Sequence, residues 1–148
     1  MSGRQFDNIL NFVEVTVMER KHLVFVYGTL RKGHSNNHLL KDAYCYGTGS
    51  TEAGYTMYLI SGFPYVTSSE SRYPIVGELY AVDDDTLNSL DRMEGHPRYY
   101  ERKQTAVIVG EERHVAWMYF RDPQGVLMKN GDYNEVNFGK AQAPEVQR

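Results

Sequence analysis

Two short stretches carry residue types that could do chemistry together. In Leu90-Asp91-Arg92-Met93-Glu94-Gly95 a carboxylate closes an apolar helical stripe. Leu87, Leu90 and Glu94 fall at i, i+3 and i+7, so a helix puts all three on one face. That face packs inward if Asp91 and Arg92 take the polar side. Glu94 then points to the core or a cleft, where a glutamate is rare without a partner or a purpose. Burial and the negative end of the helix dipole both disfavour its anion, which raises its pKa toward the range useful for proton transfer. The alternative is a last-turn glutamate that bends out to solvent. The other stretch is Val24-Phe25-Val26-Tyr27-Gly28-Thr29-Leu30-Arg31, an apolar strand pattern broken by a Gly-Thr turn. Such a break can turn backbone N–H groups outward to hold an anionic ligand group, or it can be an ordinary surface turn. Gly28, without a side chain, would also let a ligand approach the backbone closely.

Other constellations point to less. His34, His38 and Asp42 stand at i, i+4 and i+8, a spacing that puts ligands on one helical face. Gly33 delays the helix start, however, and no His-Glu-x-x-His pattern accompanies them, so no metal is expected. No Gly-x-Ser-x-Gly elbow, Gly-x-Gly-x-x-Gly fingerprint or Walker-type loop occurs. Cys45, the single cysteine, cannot form an internal disulfide and reads as a buried strand thiol rather than a nucleophile. Trp117 and Tyr119 share one strand face; core packing accounts for the first, and the second lies where it could reach a ligand. His96 either tunes Glu94 across the helix stop or is an exposed loop histidine, the commoner case.

These residues need elements to position them. Leu23 to Tyr27 forms the first strong strand signal. Ser35 or Asn36 can cap a short helix running to about Asp42. Strand-like segments follow near 44–49, 55–60, 63–67 and 75–82. Asp83-Asp84-Asp85 supplies the cap and first-turn acids of a helix that ends at Glu94, stopped by Gly95 and Pro97. Thr105 to Val109 and His114 to Arg121 are strands, with Glu111-Glu112 as the hairpin turn between them. Strands outnumber isolated helices, which gives an α+β fold built on a curled or barrel-like mixed sheet. Residues 1–17 read as an N-terminal extension, 18–138 as one domain, and 139–148 as a frayed tail.

At 148 residues the chain can bury a real core as one domain. Hydrophobic residues make up 41% and charged residues 24%, ordinary for a soluble globular protein. A formal net charge of −3, with no basic run among aromatics, argues against nucleic acid as a partner. No stretch approaches the roughly 20 apolar residues of a membrane span, and no signal-peptide pattern opens the chain, so a cytoplasmic protein is expected. The twelve tyrosines suit pocket walls, though β-rich folds collect tyrosine in any case.

The chain resembles the γ-glutamylcyclotransferase-like superfamily, and within it the γ-glutamylamine cyclotransferase branch related to the AIG2-like proteins. The match runs from Val24 to Gly33, through Asn37-His38-x-Leu40, to Gly77-Glu78-Leu79-Tyr80-Ala81-Val82. It continues in Leu90-Asp91-x-x-Glu94-Gly95-x-Pro97, Tyr100-Glu101-Arg102 and the strand ending in Tyr119. The resemblance implies a small mixed β-barrel flanked by a few helices. It implies cyclisation of a γ-glutamyl group to 5-oxoproline with release of a free amine, without hydrolysis or cofactor. It places the γ-glutamyl part at Tyr27, Gly28, Thr29 and Leu30, the acid/base carboxylate at Glu94, and a site-facing tyrosine at Tyr119. Asn37-His38 tilts the match toward the γ-glutamylamine branch. The alternatives are a cyclotransferase for γ-glutamyl amino acids or another γ-glutamyl conjugate, and a non-catalytic small-molecule-binding module of the same fold.

Overall fold

A computed structural model describes residues 20–135. The extension expected over 1–17 and the tail expected over 139–148 lie outside the described residues. The strands are β1 (His22–Val26), β2 (Tyr44–Thr51), β3 (Thr56–Ile60), β4 (Phe63–Thr67), β5 (Val76–Val82), β6 (Glu101–Val109), β7 (Glu112–Phe120) and β8 (Val126–Leu127). Among the described residues, one α-helix, α1 (Asp84–Glu94), separates β5 from β6, and two 3-10 turns cover Asn37–Leu40 and Tyr133–Glu135.

Five strands close a barrel in the order β1-β5-β2-β6-β7, and β4-β3-β8 form a second sheet. Every pairing in the barrel is antiparallel except β1 with β7, which meet in parallel at Val24 and Trp117 and close the ring. Alternation along the strands sends side chains to two clusters. Phe25, Leu79, Val107 and Met118 join Met57 and Val66 of the small sheet. Val24, Val26, Tyr80 and Val82 join Leu87 and Leu90 of α1. The barrel thereby glues a sheet to one set of its side chains and a helix to the other. Among the described residues no helix is long and apolar enough to cross a membrane.

Local chemistry explains most boundaries. Asp83 caps α1, its carboxylate accepting from the Thr86 N–H at 2.8 Å, and that amide bond holds its pKa below the usual value. Gly95 ends the helix at φ 67°, the left-handed conformation that glycine adopts freely. Four expectations need correction. The helix expected to run to Asp42 is a 3-10 turn, because the Asn36 side chain donates to Thr29 Oγ1 instead of capping. The β6–β7 turn lies at Gly110-Glu111, where Gly110 takes φ 63°, and β6 starts four residues earlier than expected. Cys45 does lie on a strand but is only partly buried, packed at the edge of the helix-side cluster. The two-residue β8 carries too little pattern to be seen in sequence.

Candidate active site

The turn after β1 and the end of α1 meet at one cavity of about 200 Å³. Tyr27, Gly28, Thr29, Leu30 and Asn36 line it from the loop, Met93 and Glu94 from the helix, and Phe63 and Pro64 from β4. Tyr100 and Tyr119 complete the wall. All six residues singled out from the sequence are therefore at the same place, across about ninety positions of chain. At this size the cavity suits a small head group rather than a drug-sized ligand, which needs about 300–1,000 Å³.

Glu94 reaches the cavity because Leu87 and Leu90, 6% and 0% exposed, anchor their shared helix face. Burying two leucines stabilises that orientation by about 1.5–3 kcal/mol each. Burial alone pushes the Glu94 pKa from 4.5 up to about 7. Among the described residues no cation or hydrogen-bond donor holds its carboxylate, so nothing offsets the desolvation. The effect invoked from the helix dipole is not needed.

Three tyrosines surround that carboxylate, and burial raises the pKa of each. Tyr100 is pushed up to about 12, first by burial and then by the charge of Glu94. All three hydroxyls stay protonated at neutral pH, so Glu94 is the wall residue that titrates there. The hydroxyls are also already engaged. Tyr27 donates to Tyr119 O at 2.8 Å and accepts from the Val66 N–H at 3.2 Å. Tyr100 donates to Pro64 O at 3.3 Å. These bonds tie the residue after β1 to β4 and β7, and the residue before β6 to β4.

Tyr119 lines the cavity, and its hydroxyl donates to Asp91 Oδ1 at 2.7 Å rather than waiting for a ligand. Asp91 is accordingly not a solvent-side residue. It is half-buried and takes a two-pronged contact from Arg102, Nε at 2.9 Å and Nη2 at 3.2 Å. Burial works against its anion, yet the Arg102 and Tyr119 bonds outweigh it and hold the carboxyl below the usual value. The Arg102 guanidinium lies over the Trp117 ring, 4.3 Å from its centre, so Trp117 does more than fill the core. His96 is half-buried rather than exposed; its Nδ1 accepts from the Arg102 N–H at 3.2 Å, and it takes no part in raising Glu94.

The loop side offers donors. Gly28 and Thr29 give their carbonyls to Arg31 and Asn36, which curls the chain tightly. Among the described residues nothing accepts from the backbone N–H groups of Gly28, Thr29 or Leu30. Gly28 is also required by packing, since a Cβ there would stand 2.7 Å from Pro64 Cγ. The possible metal triad does not assemble. His34 Nε2 meets Asn134 Oδ1 at 2.6 Å and His38 Nδ1 meets Ser35 O at 3.0 Å. Among the described residues no three His, Cys, Asp or Glu side chains are placed to hold a metal ion. Phe63, Pro64 and Met93 went unforeseen as wall residues, being single apolar or aromatic residues without a pattern. Asp91, Tyr100 and Arg102 had a signal, since all three lie within the segments that carry the family resemblance, but none was assigned to the site.

Comparison with known proteins bears on the family and the fold. The family model described as gamma-glutamyl cyclotransferase, AIG2-like, matches residues 24–135. A Methanocaldococcus jannaschii protein, provisionally named a gamma-glutamylcyclotransferase, is 44% identical over 115 residues, covering 76% of this chain and 95% of its own. The human gamma-glutamylaminecyclotransferase is 35% identical over 103 residues, 62% of this chain and 65% of that protein. The crystal structure of an AIG2-like protein from Mus musculus superposes with a TM-score of 0.64 at 25% identity, over 70% of this chain and 79% of the mouse chain. The chain belongs to the gamma-glutamyl cyclotransferase, AIG2-like family.

Proposed function

We propose that the protein cyclises a γ-glutamyl group to 5-oxoproline and releases a free amine, with Glu94 as the single general acid and base. A γ-glutamyl substrate carries its own nucleophile, the α-amino group, which is protonated near neutral pH. Glu94 takes one proton from it. The freed nitrogen attacks the γ-carbonyl carbon, forming the new ring C–N bond. Glu94 returns that proton to the leaving nitrogen and takes up the second proton that the attacking nitrogen must lose to become the ring amide. The tetrahedral intermediate then expels the original amine, which accepts this second proton from Glu94 and departs as its ammonium. No water enters and no group is oxidised or reduced. One carboxylate carries both protons, and general acid–base catalysis of this kind contributes about 10²–10⁴-fold. Both reacting groups belong to one molecule, so the site needs only to hold it folded.

The observation that carries this reading is a buried carboxylate, its pKa raised by desolvation to about 7, in a cavity that Gly28, Thr29 and Leu30 also line. In the proposal those free N–H groups hold the substrate carboxylate and steady the oxyanion, and losing one oxyanion donor costs about 10²–10³-fold in rate. Tyr27 and Tyr119 brace the wall against which the glutamyl chain folds. The leaving nitrogen is proposed to be an alkyl amine, such as the lysine ε-nitrogen, rather than the α-nitrogen of an amino acid. Glu94 is the only charged side chain lining the cavity among the described residues, so a carboxylate one carbon from the leaving nitrogen would meet no cation there. That of an ε-linked lysine lies at the far end of its side chain. The 35% identity to the human gamma-glutamylaminecyclotransferase supports the same choice. The test is 5-oxoproline release from γ-glutamyl-ε-lysine and, separately, from a γ-glutamyl amino acid. Faster turnover of the amino acid conjugate would redirect the substrate assignment.

A further inference from the structure

Outside the cavity, three donors converge on one buried carboxylate, and the loop with the free amides supplies two of them. Glu78 on β5 is 5% exposed and Arg31 is 4% exposed. Glu78 Oε1 accepts from the Lys32 N–H at 2.9 Å and from the Tyr80 hydroxyl at 3.0 Å. Its Oε2 lies 3.4 Å from Arg31 Nε. The Tyr80 hydroxyl in turn accepts from Asn37 Nδ2 at 3.2 Å, and the same amide group donates to Leu30 O at 2.8 Å. Arg31 Nη1 donates to Asp132 Oδ1 at 2.8 Å, next to the second 3-10 turn. Charges so little exposed persist only when paired and hydrogen-bonded. Neither Glu78 nor Arg31 lines the cavity, so contact with a ligand there does not account for them.

We propose that Glu78 is a positioning residue for the substrate loop: its two oxygens fasten Arg31, the Lys32 amide and, through Tyr80 and Asn37, Leu30, and so present the Gly28–Leu30 backbone at the cavity. What the loop binds rests on the cyclotransferase reading; the fastening does not. Glutamine cannot take over, because it offers one acceptor oxygen and one donor amide where three donors converge. Aspartate keeps the charge but is one methylene too short to reach.

The test compares wild type with Glu78→Gln, first confirming the fold of each by circular dichroism. Hydrogen–deuterium exchange over residues 27–37 is expected to speed up by about tenfold, with the β6–β7 hairpin unchanged. KM for the γ-glutamyl substrate is expected to rise by about tenfold, while the midpoint of the pH profile, set by Glu94, stays put. A merely structural role would lower the amount of active enzyme, and hence the apparent kcat, without moving KM. Unchanged loop exchange, or an unchanged KM in a folded variant, overturns the proposal. If Glu78→Gln does not fold, Asp132→Asn takes its place, since that side chain is 24% exposed and releases only the far end of Arg31. Smaller shifts in the same two readouts are expected, and a shift in neither overturns the proposal. Wild type that makes no 5-oxoproline defeats the activity reading alone, and exchange over 27–37 then decides the positioning role.

Discussion

At the scale of the residue, Glu94 is an acid held in the wrong solvent, and that has a cost separable from catalysis. Its pKa rises from 4.5 to about 7 on folding, so the native state binds the proton more tightly than the unfolded chain. Stability from this group is therefore full below about pH 4.5, declines as pH rises, and is lost above about 7, a difference of about 3 kcal/mol. Glu94→Gln removes the titration. In denaturant melts it should match wild type near pH 4 and exceed it by up to that amount at pH 8. In the same account kcat/KM of wild type climbs with pH through about 7 as Glu94 becomes a base, and Glu94→Gln lowers it by at least about 10²-fold. A stability gap that stays flat with pH would mean that the carboxylate reaches solvent. Glu94 was legible in sequence because helical spacing ties it to Leu87 and Leu90. Spacing alone did not make Tyr100 legible as a wall residue, since nothing local distinguishes it from the exposed Tyr99 beside it.

At the scale of the element, α1 and the loop after β1 do the positioning. Gly95→Ala tests the helix stop. The φ of 67° strains any residue with a Cβ, and the Cβ would stand 2.6 Å from Tyr99 Cδ2. Tyr99 is exposed and can move aside, so the backbone strain dominates, at about 1–2 kcal/mol. Thermal denaturation should show that loss, and kcat should fall because the last turn carries Glu94. Asp91→Asn tests the other side of the same turn. It weakens the contact with Arg102 and the acceptor for Tyr119, and it should lower kcat while leaving the pH midpoint near 7. The helix was readable because its cap, stripe and stop are all local signals. The turn at 37–40 was misread as a longer helix because Asn36 bonds Thr29 seven residues back, a contact that capping rules do not encode.

At the scale of the whole molecule, one cluster joins the barrel to the small sheet and another joins it to α1, so the site cannot be dissected from the fold. Met57→Ala, at a fully buried position on β3, should cost about 2–5 kcal/mol. Because that side chain packs against barrel residues, near- and far-ultraviolet circular dichroism should report one coincident, lower transition. Two separate transitions would show the sheets to be independent. The mixed, curled sheet was legible from strand count and isolated helices. The strand order, with β5 between β1 and β2 and closure through a single parallel bridge, was not, because these pairings are non-local, and those of β1 join residues more than fifty positions apart. The measurement that bears most directly on the whole is 5-oxoproline release from γ-glutamyl-ε-lysine by purified wild type beside folded Glu94→Gln. The account predicts product from the first and almost none from the second. A folded wild type that yields no 5-oxoproline, or a glutamine variant that keeps the wild-type rate, would contradict it.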